Sequence, residues 1–356
     1  MLAPVRRASL RKSISAVVLI VSSLALGLGL SEAYPQPMSL WTKATGLRDE
    51  GKLTEPEIGT VDKGGIVAKV VDTPDRSEVL SLAIMRVKTT PERVIERFRN
   101  VDAWRQDPFI LQAGRIGEAP AESGLESLTL DSRDVKSLAR CRINDCNMRL
   151  PKDAIEQFRK DVDWTSPASG ERATEMFRQL LARFAASYMS EGNAGLPNYD
   201  NNDDPVHIAD GLRRLIQRSR YLSDAAPDLH TYLEAFPKER PADAQDLVYW
   251  QKEKFWLLNV VSVVHSTVVD RKTPSGRLVL VVSKQIYADH YYEASLNLTA
   301  YLECPEGDAY LLSLNRTRAD IRPSGFNWIE RLLLNRLVRR RLEAQFRYLR
   351  QILEAA

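Results

Sequence analysis

Histidine is scarce in this chain. There are four among 356 residues, His207, His230, His265 and His290, and no two stand at the spacing of three or four that pairs imidazoles on one helix face. A zinc enzyme of that kind is excluded. The chain also lacks a GxSxG nucleophile elbow and any glycine-rich phosphate loop of the Walker or dinucleotide type. That argues against the hydrolases and nucleotide-dependent enzymes built on them. Asp200, Asp203 and Asp204 approach a calcium loop, but Pro205 stands where an EF-hand needs glycine and no glutamate follows at the twelfth position. The stretch reads as a solvated acidic loop. Neither a metal nor a cofactor is expected.

Cysteine is scarcer still, with three in the chain, of which Cys141 and Cys146 flank the turn formers Asn144 and Asp145. In an exported protein they are candidates for a disulfide, worth about 2 kcal/mol for so small a loop. Free thiols are the second reading. A metal site is the third, with no CxxC or HxxxH nearby to complete it.

An excess of charge of one sign is missing too. The chain has 50 Lys plus Arg and 47 Asp plus Glu; Arg6, Arg7, Arg11, Lys12 and Glu32 fall in the first 33 residues, which leaves 46 of each sign beyond them. Nucleic acid, whose phosphates call for a clustered basic surplus, is not an expected partner.

Those first 33 residues read as targeting rather than fold. A positive n-region precedes an apolar run at 14–30, and Ser31, Glu32 and Ala33 form a small-x-small site before Tyr34. The run contains Ser22, Ser23, Gly27 and Gly29 and sits at the lower limit for crossing a bilayer. It is either a cleaved secretory signal or an uncleaved anchor. The expected location is the periplasm, or the outer face of the inner membrane. Residues 34–60, which open Tyr34, Pro35, Gln36, Pro37, read as a linker.

What the chain has in quantity is apolar surface, 44% of its residues, enough for a sizeable core. Residues 79–87 bring Val79, Leu80, Leu82, Ile84, Met85 and Val87 to an expected strand. Thr90 then caps a helix, Pro91 takes its first position, and Val94, Ile95 and Phe98 form its buried stripe. Further strands are expected at 66–71, 110–116, 125–130 and 135–143. From 152 to 246 the period changes to that of helices, with stripes such as Ala173, Met176, Phe177, Leu180, Leu181, Phe184 and Tyr188. Strands return at 254–269, 278–288, 291–302 and 310–320. In the third, Ala294, Leu296, Leu298 and Ala300 alternate with Glu293, Ser295, Asn297 and Thr299. A helix over 327–354 closes the chain. Its arginines, among them Arg336, Arg339, Arg340, Arg341, Arg347 and Arg350, read either as contacts for anionic lipid headgroups or as a solvated face paired with Glu330 and Glu343.

This order of strand, proline-marked helical corner, antiparallel meander and closing helix resembles the helix-grip fold of START-like and polyketide-cyclase-like proteins. That fold is α+β: an antiparallel sheet wrapped around a long C-terminal helix. The resemblance covers residues 61–150 and 247–356, with 151–246 as an all-helical insertion. Two peptides, Ser132 to Lys136 with the CRINDCNMRLP that follows, and SKQIYADHYY from Ser283, are similar to stretches of uncharacterised bacterial proteins. The helix-grip resemblance implies a hydrophobic cavity between sheet and final helix, which most of the family use for lipids or polyketides and some for catalysis.

Trp104 and Phe98 are candidates for the rim of such a cavity. Lys284, Tyr287, Asp289, His290 and Tyr291, with Asn315, Arg316 and Arg318, are candidates for its lining. There a lysine or arginine would fix a carboxylate or phosphate, and a tyrosine or histidine would donate a hydrogen bond or move a proton. The other reading has the same residues facing water at strand ends. Three functions are therefore open. The first is a START-like binder of a hydrophobic ligand, lipid or isoprenoid-like, with membrane-surface contact. The second is a cyclase or isomerase acting through Tyr287, His290 and Arg316. The third is an envelope interaction module whose helical insertion docks an unidentified protein.

Overall fold

Glu78–Val87 forms a strand in which nearly every residue is buried, so its apolar side chains must be accepted on both faces. The computed structural model describes residues 45–75, 77–117, 124–255, 257–273, 276–304, 307–319 and 328–355. The targeting segment and residues 34–44 lie outside these. Among the described residues no helix is long and apolar enough to cross a membrane.

The chain is an α+β protein built on a large antiparallel sheet. Its strands are β1 Ile66–Val71, β2 Glu78–Val87, β3 Ile110–Arg115, β6 Gln245–Phe255, β7 Leu258–Thr273, β8 Gly276–Ala288, β9 Tyr292–Glu303 and β10 Ala309–Ala319. A separate two-residue ladder joins β4 Asn198–Tyr199 to β5 Val206–His207. The order across the main sheet is β1-β2-β10-β9-β8-β7-β6-β3, with every neighbour antiparallel. Strands β6 to β10 are thus a meander of successive neighbours, and β2 joins it by pairing with the last of them.

Around the sheet stand α1 Thr45–Gly51, α2 Glu55–Asp62, α3 Pro91–Arg99, α4 Ser132–Arg140, α5 Lys152–Asp161, α6 Ser169–Glu191, α7 Ile208–Arg218, α8 Arg220–Ala225, α9 Pro227–Ala235 and α10 Trp328–Glu354. The expected corner forms as its residues dictate: the Thr90 side chain accepts from the Arg93 N–H, and Pro91 opens α3. The sheet then divides the apolar residues between two cores. Leu82, Ile84, Leu296, Leu298, Leu312 and Val282 pack with Phe158, Phe177, Leu180, Leu212 and Leu229 of the helices between β3 and β6. On the opposite face Ala83, Met85, Val279, Val281 and Leu311 pack with Phe346 and Leu353 of α10. The helices over 152–235 therefore share one core with the sheet.

Four expectations are corrected. Residues 125–130 form no strand. Residues 45–60 are not linker: α1 and the start of α2 form there, and Leu53 between them and Ile58 of α2 are buried in the larger core. Residues 132–140 are helical, not extended, because Val135 and Leu138 stand three apart and Asp131 leads into the first turn. The meander begins at Gln245, inside the stretch expected to be helical, and β6 turns directly into β7. Cys141 and Cys146 are joined in a disulfide. The remaining cysteine, Cys304, is buried.

Helix α6 ends at Gly192, whose φ of +66° suits glycine, and a Cβ there would stand 1.7 Å from the Phe236 carbonyl oxygen. Gly192→Ala is expected to destabilise the fold by at least about 1 kcal/mol. Urea unfolding checks this, and an unchanged midpoint would contradict it.

Candidate functional site

Between the sheet and α10 lies a cavity of about 630 Å³. Its floor comes from strand alternation, because registered rows of side chains cross the sheet on one face. One row runs Val79, Thr317, Ser295, Gln285, Val264, Tyr249, and the next runs Ser81, Asn315, Asn297, Ser283, Ser266, Leu247. The centre of the floor is therefore hydroxyl and amide groups. They bond one another: Ser295 Oγ to Thr317 Oγ1 at 2.9 Å, Ser313 Oγ to Asn297 Oδ1 at 2.7 Å, and Ser266 Oγ to Ser283 Oγ at 2.6 Å. Gln285 Oε1 accepts no hydrogen bond among the described residues.

The roof is different. Phe98 of α3, Leu342, Phe346 and Leu349 of α10, and Trp104 of the short turn Val101–Gln106 close the cavity with apolar surface. Trp104 is locked from two sides, its Nε1 donating to the Arg97 carbonyl at 2.8 Å and its ring meeting Tyr249 edge-on at 4.6 Å. The rim carries two ion pairs. Arg97 meets Asp107 at 3.1 Å and Arg341 meets Glu253 at 2.5 Å. Burial raises the Glu253 carboxyl above its ordinary value, with Arg341 opposing. Arg97 Nε and Nη1 are buried without hydrogen-bond partners among the described residues.

Of the residues singled out in the sequence, Trp104 and Tyr291 line this cavity, as do Phe98 and Asn315. The other strand candidates do not. Lys284 and Arg316 alternate with Ser283 and Asn315 and so stand on the opposite face of the sheet. Arg316 meets Glu50 of α1 at 2.9 Å and pairs with Glu78, which Arg218 also holds at 2.6 Å. Tyr287 is enclosed against Phe177 and Phe184, its hydroxyl donating to the Arg149 carbonyl at 3.0 Å. His290 lies in the corner between β8 and β9, near Asp134 and Asp289. The polar row of β9 was legible in the alternation of 293–299, though only as one side of a half-buried strand. What the sequence did not reveal was which of the two faces turns toward α10.

Lys284 is 0% exposed, its ammonium 4.9 Å from the Phe236 ring centroid and 5.1 Å from that of Tyr188, with the Leu233 carbonyl accepting at 3.1 Å. Burial pulls it down to about 7, against the attraction of Asp246. Beside it His265, held below its ordinary range by burial, bonds Asp246 at 2.9 Å and the Tyr188 hydroxyl at 2.7 Å. This arrangement stands on the face of the sheet away from the cavity.

Compared with protein-family models, curated proteins and solved structures, the chain has no match in any of the three.

The buried ammonium yields a pH dependence. Between about pH 7 and its ordinary value near 10.5 the unfolded chain holds a proton that the folded chain has released, so stability rises with pH across that window. Below about 7 the ammonium is charged in both states and the full penalty applies. Lys284→Met is expected to be more stable than the natural protein at pH 7 by about 1–4 kcal/mol, the advantage shrinking toward pH 10. Urea unfolding of both proteins at several pH values measures it, and a pH-independent difference would refute it.

Proposed function

We propose that the protein is a helix-grip, START-like ligand carrier of the cell envelope, exported or tethered by its N-terminal segment, which holds a lipid or isoprenoid-like molecule under α10. The cavity is the observation that carries this reading. Its volume of about 630 Å³ falls within the range of small-molecule sites, roughly 300–1,000 Å³. Its two surfaces refine the ligand. An apolar roof favours hydrocarbon, whereas a floor of hydroxyls and amides favours hydroxyl, ether or carbonyl oxygens, so the molecule that fits is amphipathic along its length.

The cyclase or isomerase reading gains no support from Tyr287, His290 and Arg316, which lie away from the cavity. The docking-module reading is not favoured either, because the helices of 152–235 share a core with the sheet. Membrane contact stays part of the proposal through the exposed Arg336, Arg340 and Arg347 of α10. Arg339 and Arg341 are engaged by Glu343 and Glu253.

Native mass spectrometry with organic extraction of the purified protein is expected to find a bound amphiphile, or uptake of one from a lipid panel. Leu342→Trp, which fills the roof, is expected to reduce occupancy at least tenfold with the fold intact. Gln285→Leu removes the unengaged acceptor and is expected to weaken hydroxylated ligands about tenfold, the worth of one buried hydrogen bond, while sparing plain hydrocarbons. Protein that is empty and takes up nothing would overturn the proposal.

A further inference from the structure

The two peptides noted in the sequence meet in the fold, at a place the cavity does not reach. Asp134 belongs to the first and sits in the opening turn of α4; Asp289 and His290 belong to the second and form the corner between β8 and β9. Although Asp134 and His290 are 156 positions apart, Asp134 Oδ1 lies 3.2 Å from His290 Nε2. Asp289 Oδ2 lies 4.0 Å from the same nitrogen. One ligand atom from each of the three residues lies within 4.8 Å of the others. All are buried, at 3%, 0% and 4% exposure for Asp134, Asp289 and His290.

We infer that Asp134, Asp289 and His290 hold a divalent first-row transition-metal ion, of the zinc, manganese or iron class, in a structural site. Three features of the cluster lead to this. First, His290 Nδ1 lies 3.1 Å from the Asn147 carbonyl oxygen, which can only accept, so Nδ1 carries a hydrogen and Nε2 is the ring atom turned to the two carboxylates. Metal-bound histidines are oriented by such a second bond. Second, Asp289 Oδ1 accepts from the Val261 N–H at 2.9 Å, whereas Oδ2 is buried and accepts nothing among the described residues. A carboxylate oxygen enclosed in that way calls for a cation. Third, ligands bound at about 2.0 Å to a tetrahedral ion stand roughly 3.3 Å apart, which the separation of Asp134 from His290 already meets.

The nearby cations make these contacts. Lys252 bonds Asp131 at 2.5 Å, and the Arg149 guanidinium donates to the Tyr291 carbonyl at 3.2 Å and lies over the Tyr199 ring. One imidazole with two carboxylates suits zinc, manganese or iron; calcium prefers a shell of oxygens alone. Three protein ligands leave one position of a tetrahedral ion for water. The enclosed position makes the ion a staple that ties α4 to the β8–β9 corner, beside Asn147, which follows the disulfide.

The test is elemental analysis of the full chain, purified without a histidine tag. About one equivalent of one such metal per chain is expected. A strong chelator is expected to remove it and lower the melting temperature by several degrees, with recovery when the metal is returned. Cobalt added to the stripped protein is expected to give visible ligand-field bands without a thiolate charge-transfer band. Folded protein that is free of metal, and whose melting temperature does not move on adding zinc, manganese, iron or cobalt, overturns the inference. So does metal retained in full by a folded Asp289→Asn, His290→Ala double variant, because the ion would then sit elsewhere.

Discussion

Side chains on a strand point alternately to opposite faces, and in this protein both faces of one sheet are covered. That constraint governs everything else. Every long strand must supply two surfaces at once. One is mostly apolar, to accept the helices of 152–235, with Lys284, His265 and Arg316 as its buried exceptions; the other carries an apolar part that packs on α10 and a polar part that floors the cavity. A shift of register by a single residue would send Leu296 and Leu298 into the cavity and bury Ser295, Asn297 and Thr299 among leucines. The sequence is locked against it, because β8, β9 and β10 each carry the same division in phase.

The constraint also accounts for what could be read beforehand. The strands at 66–71, 79–87, 278–288, 291–302 and 310–320 were legible because their composition and turns are local properties. The helix over 132–140 was not, because its apolar positions are few and two cysteines around a turn suggested a hairpin. The hairpin of β6 and β7 was hidden by Gln251, Lys252 and Glu253, which look exposed. In the fold Lys252 bonds Asp131, and Glu253 is held by Arg341. Burial of a charge depends on a partner far along the chain, which no window of sequence contains.

Some of the strand candidates were assigned to the wrong face for the same reason, while Trp104 and Tyr291 do line the cavity. Lys284 and Arg316 were chosen for their chemistry, but alternation assigns them to the face opposite the cavity. The seryl and asparaginyl neighbours, chemically plainer, line the cavity. Metal chemistry was set aside because the histidines have no partner at helical spacing. The carboxylate nearest to His290, apart from its neighbour in the chain, comes from 156 residues away.

The place of β2 has a consequence for how the chain assembles. Strands β6 to β10 pair with their immediate successors, yet β2 pairs with β10, Val87 opposite Ala309 and Glu78 opposite Arg318. Closing so long a loop carries an entropic cost that local hairpins do not, and contacts of such high order form late. As the nascent chain emerges, β2 has β1 on one side and nothing on the other until nearly the whole sequence has been made. For that interval Leu82, Ile84 and Met85 lie on an open apolar edge, so the topology requires that this segment be kept from aggregating until its last neighbour arrives.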